Sequence, residues 1–406
     1  MLKLPSFDAK IWILAAGRLL LEIGTGFTLF YAPIFFVNQV GISATLVGMA
    51  VGSGSVSGVA GRFLGGQWAD SPRWGRRRTL LASAAISVLA DVALCLATNF
   101  PTLVLGNLLM GFGIGMYWPA TEAAIIDLTT AEQRNEAFAV TRLADSLGLS
   151  LGVILGGALI ANGGNYRLLF VVDGISFVVF FAVIYFAIAE TYQFHAQASG
   201  SSSGWSKALG DRVLMVYVVV NILFTTYLSQ VQSTMPLYLK NFVQVDGGVG
   251  FSEKVISGLF TWHIAFAAIC QLPVARLLNR LSRIRALMLS LVLWGVGFVL
   301  VWVTGITSSQ TIIWAVLALG MMSLGMITYT PSASAFVADL APESLRGVYF
   351  SINSQCWAIG YFIGPTIGGW ALDRPNFISW FWLICAASIG MGMGILQYLK
   401  RVVNYR

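Results

Sequence analysis

The stretch "LLFVVDGISFVVFFAVIYFAIA", residues 168–189, holds a single charged residue, Asp173. Wound as a helix rising ~1.5 Å per residue, it reaches across the roughly 30 Å of hydrocarbon in a bilayer. Lipid offers peptide groups no hydrogen-bond partner, so a spanning segment this long must be a helix that satisfies its own backbone. With this segment placed at 166–189, eleven others read the same way, near 11–36, 44–69, 78–98, 101–127, 135–162, 212–240, 252–278, 284–305, 309–339, 346–371 and 377–400. The sequence therefore predicts an all-α integral membrane protein with twelve transmembrane helices.

Composition agrees. The chain of 406 residues is 57% hydrophobic and 10% charged, with mean hydropathy +0.79. A soluble domain carries roughly 25% charged residues, so a soluble enzyme is excluded. The net charge of +7 does not imply nucleic acid as a partner, because the basic residues sit in short breaks between apolar runs rather than in a groove. Cys95, Cys270, Cys356 and Cys385 lie within apolar segments without paired spacing, and read as small buried hydrophobes rather than metal ligands or disulfides. The opening residues "MLKLPSFDAK" lack a signal-peptide cleavage region, and the run after them reads as a retained first span.

Lysine and arginine give the expected orientation. With the N-terminus inside, the inner segments hold Lys3, Lys10, Arg62, Arg73, Arg76, Arg77, Arg78, Arg134, Lys207, Arg212, Arg276, Arg280, Arg283, Arg285, Arg346, Lys400, Arg401 and Arg406. The outer segments hold Arg167, Lys240, Lys254 and Arg374, a bias of 18 to 4. Both termini are thus expected in the cytoplasm.

A long-period repeat divides the chain. "GMYWPATEAAIIDLTTAEQR" at 115–134 is echoed by "TYTPSASAFVADLAPESLR" at 328–346, and Pro119, Asp127 and Arg134 return 212 positions later as Pro331, Asp339 and Arg346. Gly148, Gly152, Gly156 and Gly157 return as Gly360, Gly364, Gly368 and Gly369 at the same offset. Glycines four apart share a helix face and admit a close neighbouring backbone. The Ser/Gly-rich stretch "ETYQFHAQASGSSSGWSKALGD" at 190–211 reads as flexible linker. The expected organisation is a six-helix bundle at 1–190, a cytoplasmic linker at 191–211 and a second six-helix bundle at 212–406. A six-helix unit repeated in one orientation is the plan of many transporters.

"GGQWADSPRWGRRRTL" at 65–80 resembles the signature loop of the major facilitator superfamily: glycine, an acid four residues on, then a turn with glycine and basic residues. Here "SPRW" lengthens the turn by two residues, and the matching loop "RLLNRLSRIRAL" keeps the arginines without the acid. The chain looks most like the bacterial twelve-span drug:proton antiporters of that family, through the glycine-rich "ADSLGLSLGVILGGAL", although Val153 stands where proline after glycine is usual. The resemblance implies the major facilitator fold, a location in a bacterial cytoplasmic (inner) membrane, and a monomer that works on a proton gradient without a cofactor. It also places Asp70, Arg76 and Arg77 in a cytoplasmic gate that latches the bundles, with Asp127 and Arg134 as bracing inside one bundle.

Ionisable groups inside spans need a partner, a water path or a function. Arg18 and Glu22 share a face of the first span, and Arg142 and Asp145 share a face of the fifth. These four, with Glu122 and Asp91, are the candidate proton-coupling residues. Glu22 is the favoured site, with Arg142 as its switching partner; the alternative is a static Arg–Glu network joining spans 1 and 5. Glu122 is either a second proton site or a water-exposed acid, Asp91 either functional or packed on a polar helix face, and Asp173 reads as structural. His263 is alone in its span, and no metal ligand set is apparent.

Candidate substrate contacts are Tyr31, Trp118, Asn221, Thr225, Gln230, Tyr329, Asn353 and Trp357, while Pro33, Pro119, Pro236 and Pro331 can bend moving spans. The partners are thus the lipid bilayer and a small-molecule substrate, with no nucleic acid. The favoured function is proton-coupled efflux of amphipathic or cationic compounds by alternating access. The alternative is a proton-coupled symporter or facilitator for a small metabolite such as a sugar or organic acid, and lipid transport is a further possibility. No Ser–His–acid, metal or nucleotide motif points to an enzyme.

Overall fold

A computed structural model of the protein describes residues 8–130, 133–163, 165–191, 203–245, 248–278, 280–307, 309–342 and 345–404. The chain forms two compact units, residues 1–197 and 198–406. In the first, the helices are α1 (Ala9–Thr28), α2 (Ala32–Asn38), α3 (Ala44–Ala69), α4 (Gly75–Leu96), α5 (Phe100–Asp127), α6 (Arg134–Gly163) and α7 (Arg167–Ala187). The second holds α8 (Ser203–Leu209), α9 (Arg212–Gln232), α10 (Thr234–Asn241), α11 (Glu253–Leu278), α12 (Arg283–Ile306), α13 (Thr311–Leu340), α14 (Arg346–Leu372) and α15 (Pro375–Asn404). A two-residue antiparallel ribbon, β1 (Gln244–Val245) with β2 (Gly248–Val249), connects α10 to α11.

Eleven spans among the described residues are long and apolar enough to cross a membrane, so the protein is a multi-pass integral membrane protein. The remaining expected span is also a long helix, α14, but it falls outside that apolar set and carries Ser351, Asn353, Ser354 and Gln355 in its first half. Two expected spans are each broken into a pair of helices. The first breaks at residues 29–31, just before Pro33 in the opening turn of α2, and the seventh at Ser233, just before Pro236 in α10. Proline is tolerated in a first turn, where its missing N–H would have no helical partner. Pro119 and Pro331 instead lie inside continuous helices. Of the expected linker, residues 203–209 are helical, while 192–202 lie outside the described residues.

Within each unit the helices pair by the same scheme. In the first, α1 packs on α6 and α7, α5 on α3 and α4, and α4 also on α7. In the second, α9 packs on α14 and α15, α13 on α11 and α12, and α12 also on α15. The repeated glycines set the first of these contacts. A Cβ at Gly152 would lie 2.8 Å from the Cα of Gly26, and one at Gly364 would strike the Ser229 hydroxyl. Helix axes this close leave no room for a side chain, which is why the glycines recur with the repeat.

Candidate functional site

The close α1–α6 contact in the first unit brings a guanidinium onto a carboxylate. Arg18 Nε donates to Asp145 Oδ1 at 2.8 Å and Nη2 donates to Asp145 Oδ2. Arg18 is buried and Asp145 half-buried, and the planar fork matches both oxygens, the strongest geometry such a pair can take. Glu22 follows one turn along α1. It is half-buried and makes no hydrogen bond or ion pair among the described residues, although Asp145, Arg18 and Asp173 all act on it electrostatically.

Arg142 of α6, expected to switch against Glu22, pairs with neither Glu22 nor its face neighbour Asp145 among the described residues. Arg142 reaches Glu122 of α5 at 3.7 Å, and Arg62 of α3 also acts on that acid. Both members of the Arg142–Glu122 pair are exposed, so the contact is worth little by itself. Trp118 links the two ion pairs, with the Arg18 guanidinium 5.2 Å and that of Arg142 5.9 Å from its ring. Residues three apart on one helix share a face, but a guanidinium pairs with the carboxylate whose oxygens meet its fork. Here those carboxylates come from neighbouring helices. Asp91 lies elsewhere, buried at the α4–α7 contact beside Gly174.

At the opposite end of α4 the signature loop closes on its own unit. Arg76 Nε donates to Asp127 Oδ2 at 3.1 Å, and Arg76 Nη1 pairs with Asp70. Asp127 thus braces α5 to α4, and the side chain of Arg134 lies outside the described residues. The second unit repeats the brace, with Arg283 of α12 on Asp339 of α13 at 3.3 Å. The copies differ in setting: Arg76 and Asp127 are 12% and 11% exposed, Arg283 and Asp339 45% and 63%. Glu190, which the sequence did not single out, accepts from the backbone N–H groups of Arg76 at 2.8 Å and Arg77 at 3.2 Å. Its carboxylate caps the α4 N-terminus, where free N–H groups and the helix dipole favour an anion. Gly75 permits this with φ of 72° and the space its missing side chain leaves. Arg77 also donates to the Tyr185 carbonyl at 2.6 Å.

The expected substrate contacts separate into two groups. Tyr31, Asn221, Thr225, Gln230 and Tyr329, expected on a cavity wall, are buried. Their polar atoms join helices within one unit: Tyr31 to the Val153 carbonyl at 2.9 Å, Thr225 to that of Cys356 at 2.8 Å, and Gln230 to that of Gly364 at 3.0 Å. Tyr329 donates to Asn221 Oδ1, and Asn221 Nδ2 to Asn353 Oδ1 at 2.9 Å. Trp118, Asn353 and Trp357 keep part of their surface. Trp357 stacks on Tyr361, an aromatic that the sequence did not single out, with centroids 5.7 Å apart. His263 is buried with the Ser323 hydroxyl 2.7 Å from its Nδ1.

A family model described as Major Facilitator Superfamily matches residues 14–247 and 244–402 of the chain. Among characterised proteins the chain is 25% identical over 392 residues to a Na(+), Li(+), K(+)/H(+) antiporter of Planococcus maritimus, covering 90% of each. It is 24% identical over 373 residues to the multidrug resistance protein MdtH of Aeromonas hydrophila, covering 92% of this chain and 90% of that one. In three dimensions it resembles the nucleoside transporter NupG with a TM-score of 0.79 at 14% identity, over 96% of this chain and 99% of that one.

Proposed function

Because the chain belongs to the major facilitator superfamily, we propose that it is a proton-coupled secondary transporter that moves a small organic solute by alternating access. Such a protein is a carrier and not an enzyme, and the proton gradient is its energy source. On this reading the two compact units are the two six-span bundles of the family. The observation that carries proton coupling is Glu22: an acid inside a span, without a hydrogen bond, beside an arginine already matched by Asp145. Protonation of Glu22 changes the charge of the Arg18–Asp145–Glu22 group from −1 to 0, and that change is the free energy a proton gradient can act on.

For the solute, small polar metabolites taken up by symport or facilitation come first. The fold likeness to a nucleoside transporter supports this, as do the half-buried amide of Asn353, the exposed Arg142 and the aromatic faces of Trp118 and Trp357. Export of amphipathic cations is the second reading, supported by the multidrug resistance relative and by Trp118, whose ring already attracts two guanidinium groups. The test is proton movement by purified protein in liposomes offered nucleosides, sugars, organic acids and amphipathic cations in turn. A response confined to amphipathic cations would overturn the metabolite reading, and no proton movement with any solute would overturn coupling.

A further inference from the structure

Where α7 packs on α4 and α1, two carboxylates lie outside the Arg18–Asp145–Glu22 group, Asp91 against α7 and Asp173 against α1. Asp91 is 2% exposed, and neither of its carboxylate oxygens has a hydrogen-bond partner among the described residues. It packs on Gly174, where an added Cβ would sit 3.3 Å from the Asp91 Cβ. Asp173, also 2% exposed, accepts the Thr28 hydroxyl on Oδ2 at 2.9 Å and leaves Oδ1 bare. Asp173 is the chain neighbour of Gly174, the residue that Asp91 packs against, and this places the two acids near enough to act on one another electrostatically.

No ion pair matches either acid among the described residues. Arg167, at the start of α7, donates to the Cys95 carbonyl and lies over the Phe35 ring at 5.4 Å. The other titratable groups acting on the pair are Glu22 from α1, a third acid, and Cys95 from α4. Two buried carboxylates with three bare oxygens are too costly to remain both charged and unmatched inside a bundle. Oxygen donors of this kind suit a small hard cation.

We propose that Asp91 and Asp173, with the Thr28 hydroxyl, form a site for one small monovalent cation, either a proton shared by the two carboxylates or an alkali cation held between them. The site is read by binding alone, so its failure is distinct from a failure of transport. The test uses the full chain purified in detergent. Its melting midpoint is measured in sodium, lithium, potassium and choline chlorides at equal ionic strength, and its carboxyl stretching bands are followed by infrared spectroscopy.

An alkali site raises the midpoint by about 2 °C or more over choline, and the rise is lost in Asp91→Asn and in Asp173→Asn. A shared proton gives no salt-specific rise, but a protonated-carboxyl band at neutral pH that either substitution removes. Thr28→Val retains both charges and serves if the asparagine variants do not fold; it weakens the alkali effect or shifts the carboxyl band. The proposal is overturned if the wild type shows neither signal, if the signal survives both asparagine variants, or if, where those do not fold, Thr28→Val leaves it unchanged.

Discussion

At the residue scale, α1 places Arg18, matched by Asp145, one turn from Glu22, which has no hydrogen bond among the described residues, and the two make opposite predictions. Removing the Arg18 side chain leaves Asp145 charged and poorly solvated, so Arg18→Ala is expected to cost about 3–5 kcal/mol, read as a lower melting midpoint in detergent. Combining it with Asp145→Ala should restore part of that loss; a double variant less stable than the single would contradict the pairing. Glu22→Gln removes no partner and should leave the fold intact. It is expected to cut solute accumulation under an imposed pH gradient at least tenfold while solute exchange at equal pH continues. Normal accumulation by this variant would show that the proton is carried elsewhere. The sequence revealed which charges lie in spans, because an aspartate or arginine among leucines stands out. It did not reveal which acid meets which arginine, because that depends on the rotation of α1 and α5 against α6.

Among the elements, the glycine faces were legible and the polar interiors were not. The 212-residue offset marks Gly152 and Gly364 as equivalent, and in each unit the equivalent helices approach too closely there for a side chain. Gly152→Leu must push α1 from α6 and is expected to cost at least ~1–3 kcal/mol, with loss of folded, monodisperse protein on size exclusion. Unchanged elution and melting would contradict the contact. Asn221, Thr225 and Gln230 have the composition of a binding wall, yet their helix faces turn inward and their hydrogen-bonding groups meet α14. Amides and hydroxyls look the same in a sequence whether they hold a ligand or a neighbouring carbonyl. Glu190 escaped notice for a related reason: it caps a helix more than a hundred residues earlier in the chain.

For the whole molecule, the duplicated frame and the unequal charges have separate consequences. The repeated acids Asp127 and Asp339 occupy equivalent places, but only the first is shielded from solvent. Asp127→Asn is therefore expected to lower stability by up to ~3 kcal/mol and Asp339→Asn by less than ~1 kcal/mol. Equal losses would mean that the two braces do the same structural work. The lysine and arginine bias makes a further prediction, that reporters fused after Arg406 and within the 192–202 connection are active in the cytoplasm. An external signal at either point would reverse the assigned orientation. Eleven of the twelve expected spans are long and apolar among the described residues, legible because lipid enforces helix length; the inequality of the braces was not legible, because burial of a helix end depends on what packs over it.

The Glu190 cap has a consequence for how the gene can be divided. Its carboxylate belongs to the first unit on both sides of the contact, closing the end of α7 onto the start of α4 before the chain leaves for the second unit. A break or an inserted reporter placed after Thr191 is therefore expected to leave that clasp whole when the two halves are made as separate polypeptides. A break only a few residues earlier would strip the cap from α4, and the same cut would then remove part of the first unit's own architecture.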